Sequence, residues 1–393
     1  MNSILDPSDK KQLELYIHIP FCARKCNYCD FLSAPEKPEV QADYVQQLCR
    51  ELQASAPLAE NYEVSSIFIG GGTPSLLDPR DISHILSTAY GFYKVRSTAE
   101  ITIEVNPAST LRYKFRSYLE SGINRLSIGL QSANNAELHT LGRLHIFEDF
   151  LKCYQSARME GFRNINIDLM DDIPGQTSAS WRKTLKNVLM LKPEHISIYN
   201  LIIEEGTPFY RLYKSGRLVL PDEDTVVEND VITKELTEHH GYERYEVSNY
   251  AKPGFACRHN YGYWSDVPYL GFGLGAASCL NHTRWSNLRR LPAYLSCDMN
   301  AEASQGFPTL HENVNVLSRN AQMEEFMFLG LRRTAGVSEL EFTGRFSVDL
   351  LSIYGPQLTK YCELGFMTHE NYHYRFTERG MDVSNSILAE FLL

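Results

Sequence analysis

The sequence predicts an α/β protein with an incomplete (β/α)6 barrel, followed by an α+β extension and a C-terminal winged-helix-like module. Between Leu13 and about Thr207, short β-branched runs alternate with longer amphipathic stretches, which is typical of parallel βα units. Eight such units would close a TIM barrel. Six leave a three-quarter barrel or an open sheet, and periodicity alone does not distinguish the two. Beyond Phe209 the alternation stops.

The six predicted strands are short apolar runs at 13–19, 65–70, 100–105, 125–130, 164–170 and 195–202. The helices between them carry the expected boundary signals. Pro38 and Pro79 lie at helix starts, and Gly122 and Gly161 follow two helix ends. The five predicted helices lie near 38–55, 78–93, 109–120, 146–160 and 178–191.

The second half of the chain predicts a mixed α+β arrangement. An acidic amphipathic helix runs from Asp222 to about His240, a strand follows at 242–250, and 255–285 is rich in aromatic residues. Short helices begin near Glu324, and 364–376 has a turn-strand pattern before a last helix that ends at Leu393. We therefore predict a partial barrel at 1–215, an α+β extension at 216–310, and a winged-helix-like module at 311–393.

Composition excludes several classes of protein. The 393-residue chain has a net charge of −10, which argues against a nucleic-acid partner because phosphate contacts need clustered Lys and Arg. No apolar run approaches the roughly 20 residues needed to span a bilayer, and the N-terminal residues lack a signal-peptide core. The nine cysteines are an odd number, and only three are closely grouped, which is not a disulfide framework. These features predict a cytoplasmic protein.

Three cysteines follow the first strand at the spacing C-x3-C-x2-C: Cys22, Cys26 and Cys29. A short loop cannot spread three thiolates apart, so we expect them to converge. Structural zinc sites almost always take four protein ligands, which would require a distant fourth ligand here, and inert buried thiols are a further alternative. An iron–sulfur cluster held by three cysteines leaves one iron free to bind another molecule. This interpretation best explains why the loop has three cysteines.

Every predicted strand ends in polar or glycine-rich residues. In parallel α/β architectures chemistry collects at the carboxyl ends of strands, so these residues are expected at one face. Each alone has a simpler explanation: the triple glycine as a tight turn, Glu104 as a cap or ion-pair partner, Arg143 as a surface arginine. Their recurrence at six strands predicts a ligand site. The features are the cysteine loop, 70–74, Glu104 to Pro107, Gln131 and Ser132, Asp168, and 204–208.

The motifs YIHIPFCxxxCxYC, GGGTP, IEVNP, RLSIGLQS, LGRLH, INIDL and PGQT resemble those of the radical S-adenosylmethionine (SAM) enzymes, in the branch that contains coproporphyrinogen dehydrogenases and heme chaperones. The resemblance extends from Leu15 to the C-terminus. It implies that Cys22, Cys26 and Cys29 ligate a [4Fe-4S] cluster, and that an electron donor is needed if SAM is cleaved. It further implies SAM contacts from Tyr16, Tyr28, Gly71, Gly72, Thr73, Glu104, Gln131, Arg143, Asp168 and the backbone near Ile202.

Two departures from the dehydrogenase motifs favour the heme chaperone branch. Phe31 occupies the position where the dehydrogenases have a fourth cysteine, and few residues precede the first strand. His259 begins an HNxxYW motif that resembles the chaperone branch, which implies heme contact by this histidine. The predicted function is heme binding and transfer to an unknown acceptor protein, with possible peripheral membrane association of the acceptor. The alternative is an oxygen-independent coproporphyrinogen III dehydrogenase, and no catalytic residue is assigned.

One motif differs from the family pattern. The family usually has D-L-x-Y-G-x-P-G-Q after the fifth strand, whereas this chain has Asp171 and Asp172 at the aromatic and glycine positions. Extra negative charge and a lost glycine are expected to alter this loop. The change bears on SAM turnover more than on cluster binding.

Overall fold

The structure, a computed structural model, describes residues 11–109 and 112–393. Residues 1–10, where the sequence lacks a signal-peptide core, and residues 110–111 of the predicted helix 109–120 lie outside this part. All six predicted strands are confirmed, and neighbouring strands pair in parallel and in chain order. They are β1 (Gln12–Ile19), β2 (Glu63–Gly71), β3 (Val95–Val105), β4 (Arg125–Gln131), β5 (Ile165–Asp171) and β6 (His195–Asn200).

The helices that connect these strands begin and end at the predicted signals. Asp78 caps the second helix by accepting a hydrogen bond from the backbone N–H of Arg80, and Gly161 ends the fifth with a left-handed φ of 113°. Five of the six were predicted, and α4 was not. They are α1 (Pro38–Ser55), α2 (Pro79–Phe92), α3 (Arg112–Glu120), α4 (Asn135–Leu141), α5 (Phe147–Glu160) and α6 (Ser178–Met190).

The following region does not form a separate layer, because its strands extend both edges of the parallel sheet. Its elements are α7 (Pro208–Lys214), α8 (Glu223–His239), β7 (Glu243–Arg244), β8 (Asn249–Ala251), α9 (Arg258–Trp264), β9 (Tyr269–Phe272), β10 (Ala277–Leu280), β11 (Thr283–Asn287), α10 (Leu291–Leu295), α11 (Met299–Gln305) and β12 (His311–Val316). Strand β9 pairs in parallel with β1, and β8 pairs antiparallel with β6. The result is an open mixed sheet of 12 strands in the order β12-β11-β10-β9-β1-β2-β3-β4-β5-β6-β8-β7.

The single strand predicted at 242–250 is wrong. This segment folds back on itself as a hairpin, in which Arg244 pairs with Tyr250 across the antiparallel β7 and β8. The backbone carbonyl of Ser248 in the turn accepts from the N–H of Ile198, which anchors the hairpin to β6. The sequence predicted a single strand because apolar residues alternate through the turn, which contains no Gly or Pro to mark it.

The C-terminal region has its own small sheet and its own core. Its elements are α12 (Arg319–Gly330), β13 (Val337–Ser338), α13 (Glu339–Phe346), α14 (Leu350–Glu363), β14 (Met367–Glu370), β15 (His373–Phe376), α15 (Glu378–Asp382) and α16 (Ser384–Leu388). The three strands pair in the order β13-β15-β14, and this helix-and-hairpin arrangement is winged-helix-like. The last helix ends at Leu388 and a 3-10 turn follows at Ala389–Phe391, short of the predicted Leu393.

Two hydrophobic cores correspond to these regions. The first extends from Leu13 to Leu310 and fills the space between the large sheet and its helices. The second contains buried residues between Met323 and Phe391. Strand β12 belongs to the large sheet although our division at 310 and 311 assigns it to the C-terminal module, so that division remains a proposal. No helix in residues 11–109 and 112–393 is long and apolar enough to cross a membrane.

Candidate functional site

The cysteine loop leaves the carboxyl end of β1 and is held at its base and at its tip. At the base, Phe21 bridges to Ala34, and the N–H of Cys22 donates to the carbonyl of Ala34 at 3.2 Å. At the tip, the N–H and side-chain amide of Asn27 donate to the carbonyls of Leu141 and Thr140, at 3.0 and 2.9 Å. The end of α4 therefore fixes the middle of the cysteine motif.

The three cysteines lie in this loop as free thiols. Burial, with a smaller contribution from the neighbouring Cys26 and Cys22, raises the pKa of Cys29 to about 11. The thiol of Cys22 lies 3.4 Å from the hydroxyl of Thr73, and Arg143 Nη1 donates to Cys26 Sγ at 3.8 Å. Within the described residues no three His, Cys, Asp or Glu side chains lie close enough to hold one metal ion.

The glycine turn follows β2 and faces the cysteine loop. The N–H of Gly72 donates to the carbonyl of Ile19 at 2.8 Å, and a Cβ at Gly72 would lie 2.7 Å from the carbonyl oxygen of Phe21. Gly71 has a φ of +110°, and a Cβ there would lie 2.5 Å from the ring of His18. Only glycine fits these two positions, so the turn exposes bare backbone beside the thiols.

Two carboxylates face each other beyond the glycine turn. Glu104, on β3, accepts from the N–H of Gly71 at 3.0 Å. Asp168, on β5, accepts from Ser127 at 2.9 Å and from Asn166 at 2.7 Å. Burial raises the pKa of Glu104 to about 8, and the nearby Asp168 adds to the rise. A cationic ligand between them would relieve this cost.

Gln131 and Arg143 converge on the opposite side of the loop. The register of β4 against β5 shifts between Gly129 and Gln131, and Gln131 has a φ of +73°, which is uncommon outside glycine. A Cβ on Gly129 would meet Gln131 Nε2 at 3.2 Å and Arg143 Nη2 at 3.3 Å. Arg143 donates to the carbonyl of Gly129 at 2.7 Å, and its Nε is buried without a partner. This buried donor is suited to an anionic group.

The remaining residues implied for SAM binding lie at different depths. Tyr16 lines a cavity of about 190 Å³ that also contains Glu104 and Asp168. Tyr28 packs with Leu141, Met170, Ile173 and Phe209 under the cysteine loop. Ile202 lies after β6 with 67% of its surface exposed. The structure thus brings Tyr16 to the two carboxylates, places Tyr28 behind the loop, and leaves the Ile202 side chain facing solvent.

His259 lies on α9, buried at the inner end of the same cavity. Its Nδ1 is 2.8 Å from the hydroxyl of Ser66, and its Nε2 is 3.0 Å from the hydroxyl of Tyr263. Burial and, to a lesser extent, the nearby charge of Arg125 lower the pKa of His259 to about 3, which favours the neutral imidazole. Both ring nitrogens have protein partners, and iron ligation by His259 requires one of these bonds to break.

The two unusual acidic residues lie at the end of β5 and in the loop that follows it. Asp172 adopts a left-handed φ of 57°, which Asp tolerates better than most residues, so the missing family glycine costs little. Its carboxylate accepts from Asn200 at 3.0 Å. Asp171 is buried, and burial together with Asp172 and Asp230 raises its pKa. Both carboxylates pair with or face residues of β6 and α8, outside the cavity lining.

Sequence reasoning missed two parts of the site. Helix α4 has Asn134 as its N-cap and Gly142 as its C-cap, signals that could have identified it, but its seven residues are too few for clear periodicity. Arg125 lines the cavity and is 1% exposed. It begins the RLSIGLQS motif, yet an arginine at the start of a strand carries no signal of burial.

The residues fit a three-cysteine cluster and SAM. Three free thiols without a fourth ligand do not match a structural zinc site. The raised pKa of Glu104 suits an ammonium group, and the unpartnered Nε of Arg143 suits a carboxylate or a hydroxyl.

Comparison with protein families and solved structures identifies related proteins. The model of the radical SAM superfamily matches residues 16–188, and that of the HemN C-terminal domain matches residues 317–383. Coproporphyrinogen III oxidase (HemN) from Escherichia coli, described as a radical SAM enzyme, shares the fold with a TM-score of 0.83. That similarity covers 97% of this chain and 90% of the other at 23% identity.

Two sequence relatives cover almost the full chain, and a third covers about two thirds of it. Heme chaperone HemW from Bacillus subtilis is 35% identical over 378 residues, 96% of this chain and 98% of the relative. Heme chaperone HemW from Escherichia coli is 35% identical over 97% of this chain and 98% of the relative. A mitochondrial radical S-adenosyl methionine domain-containing protein 1 from Danio rerio is 35% identical over 69% of this chain. This chain belongs to the HemW family of the radical SAM superfamily.

Proposed function

We propose that this protein is a heme chaperone that binds heme, transfers it to an acceptor protein, and carries a [4Fe-4S] cluster and SAM. The proposal rests on similarity to proteins named heme chaperone HemW. This similarity extends over at least 96% of this chain and 98% of those relatives. Phe31 supports it independently, because a phenylalanine occupies the position of the fourth cysteine in the dehydrogenase motif and cannot ligate iron. Its ring is 60% exposed beside the cysteine loop.

The residues of the site have distinct roles in this proposal. Cys22, Cys26 and Cys29 hold the cluster as thiolates, and the positive charge of Arg143 beside Cys26 stabilises the thiolate form. Gly71 and Gly72 admit the methionine end of SAM without a Cβ in the way, and Glu104 accepts from its ammonium group. Gln131, Asp168 and the backbone near Ile202 contact its ribose and adenine. The cluster, when reduced, supplies the electron that cleaves SAM in this superfamily.

Several finer features of the proposal concern partners. The protein functions in the cytoplasm, its heme acceptor is a separate protein that associates peripherally with the membrane, and an electron donor is required only if SAM is cleaved. His259 contacts heme in this proposal through its ring after the hydrogen bond with Tyr263 or Ser66 has opened. His259→Ala tests that contact: unchanged heme affinity would remove this histidine from the site.

The alternative function is oxidative decarboxylation of coproporphyrinogen III. The shared fold with HemN favours it, but that likeness at 23% identity concerns the fold alone. Anaerobic incubation of the cluster-reconstituted protein with SAM, dithionite and coproporphyrinogen III separates the two functions. We expect no protoporphyrinogen, and its formation at many turnovers would contradict the chaperone proposal. Phe31→Cys is the matched variant, since it places a cysteine at the loop position where the dehydrogenases have their fourth cysteine.

A further inference from the structure

Arg125 is a buried cation without a partner. Its side chain is 1% exposed at the start of β4. Its Nε is buried without a hydrogen bond, and among the described residues no side chain or carbonyl forms a hydrogen bond or ion pair with its guanidinium. A buried arginine normally has a carboxylate partner, because desolvation of an unpaired charge is costly.

The polar residues around Arg125 bond to one another instead. Asn166 donates to Ser127 at 2.8 Å and to Asp168 at 2.7 Å, and its carbonyl oxygen lies 2.7 Å from Nδ1 of His195. Glu100, on β3, accepts from the N–H of Arg258 at 2.9 Å, at the start of α9. Glu100 and Asp168 interact with Arg125 electrostatically, and the Nε donor of Arg125 has no hydrogen-bond partner among the described residues.

These unused donors line the cavity that also contains the proposed SAM residues. Tyr16, Glu104 and Asp168 line one part of the cavity, and Arg125 and Asn260 line it as well. Its volume of about 190 Å³ is below the range of roughly 300–1,000 Å³ typical of sites for drug-sized ligands. The cavity therefore accommodates a small group or one arm of a larger molecule, and a porphyrin ring does not fit inside.

We propose that Arg125 binds the carboxylate of a ligand that enters this cavity, with the Asn260 amide as a second donor. A guanidinium matches a carboxylate with two parallel N–H···O bonds, which is the strongest pairing this buried fork can form. A single cation with one amide suits a monoanion better than a phosphate. The carboxylate comes either from a propionate arm of heme, in which case the inference rests on the proposed function, or from a free small carboxylic acid.

Binding measurements on the full-length, cluster-reconstituted protein separate these sources. The probes are heme, heme dimethyl ester and sodium propionate, each titrated into wild type and Arg125→Met, which keeps an unbranched apolar stem and removes the guanidinium and its charge. Arg125→Lys keeps the charge without the fork and serves if Arg125→Met does not fold. Arg158→Met is the matched control, since Arg158 is a partly buried arginine that pairs with Glu194 at 2.8 Å and does not line the cavity.

If a heme propionate is the ligand, Arg125→Met weakens heme binding by about 30-fold or more and leaves the ester unaffected. If a free acid is the ligand, propionate binds wild type but not Arg125→Met, and heme affinity is unchanged. Equal affinities of wild type and Arg125 variants for both heme and propionate would contradict carboxylate binding by Arg125. The proposed function would be unaffected by this result. Propionate binding by a wild type that does not bind heme would support the pocket and contradict the proposed function.

Discussion

At the scale of single residues, the site consists of charged groups that the fold buries without a full set of partners. Glu104 is held beside Asp168 with a raised pKa, and Arg143 and Arg125 each have a buried Nε without a hydrogen bond. Such groups reduce the stability of the ligand-free protein and are available to a ligand. Their burial depends on tertiary packing, so the sequence identified Glu104 by its place at a strand end and by motif resemblance, identified Arg143 only through motif resemblance, and missed Arg125.

The cysteines provide the first residue-scale prediction. Cys26→Ser removes a thiolate ligand, so the reconstituted variant should lose most of its cluster iron and its visible charge-transfer absorption. Iron and sulfide analysis with absorption spectroscopy measures this loss. Cys297→Ser is the control, because Cys297 is also partly buried and lies outside the loop. A Cys26→Ser protein with a full complement of iron would show that the assigned ligands are wrong.

Glu104 gives a prediction for the dependence of stability on pH. Its pKa rises from 4.5 to about 8 on folding, so the folded state holds a proton that the unfolded state releases. The contribution of Glu104 to the free energy of unfolding is fully present below pH 4.5 and is lost as pH rises toward 8. It is on the order of 5 kcal/mol.

Glu104→Gln removes this titration. Without SAM, the free energy of unfolding of wild type should fall more between pH 6 and pH 9 than that of the variant, measured by urea denaturation at each pH. Glu39→Gln, which changes an exposed carboxylate in the first turn of α1, should follow wild type. Parallel pH profiles for wild type and Glu104→Gln would be inconsistent with a protonated Glu104.

At the scale of elements, the turns after the strands determine the shape of the site. Gly71→Ala places a Cβ 2.5 Å from the His18 ring at a φ of +110°, so it should destabilise the protein by about 1–3 kcal/mol and weaken SAM binding. Gly91→Ala is the matched control: it lies in α2 with no atom within 4 Å of the added Cβ, and should stabilise by up to about 1 kcal/mol. Thermal unfolding measures both, and equal effects would refute the steric account.

Local signals predicted most elements of the first half, because each strand and helix there carries its own pattern and caps. Prolines and glycines located α1, α2 and α5 within a few residues. The pairing of β9 with β1 is different, since it joins Leu270 to Leu15 across more than half of the chain and no local pattern reports it. For the same reason the burial of His259 behind Ser66 and Tyr263 was not foreseen, although its motif was recognised.

At the scale of the whole molecule, the large sheet makes the first two regions one folding unit. A chain truncated after residue 215 would leave β1 without β9 and β6 without β8, which exposes two apolar edges. We expect it to aggregate. A chain truncated after Val316 keeps all 12 strands and the first core, and should remain folded. Gel filtration and circular dichroism compare the two, and a monomeric, folded 1–215 chain would contradict this view.

The most direct test of the proposed heme chaperone is anaerobic titration of the cluster-reconstituted, full-length protein with heme, followed by Soret absorption with and without SAM. We expect saturable binding of heme at a defined stoichiometry, with no conversion of coproporphyrinogen III by the same preparation. Absence of saturable heme binding in both conditions, from protein with its full cluster iron, would contradict the proposed function.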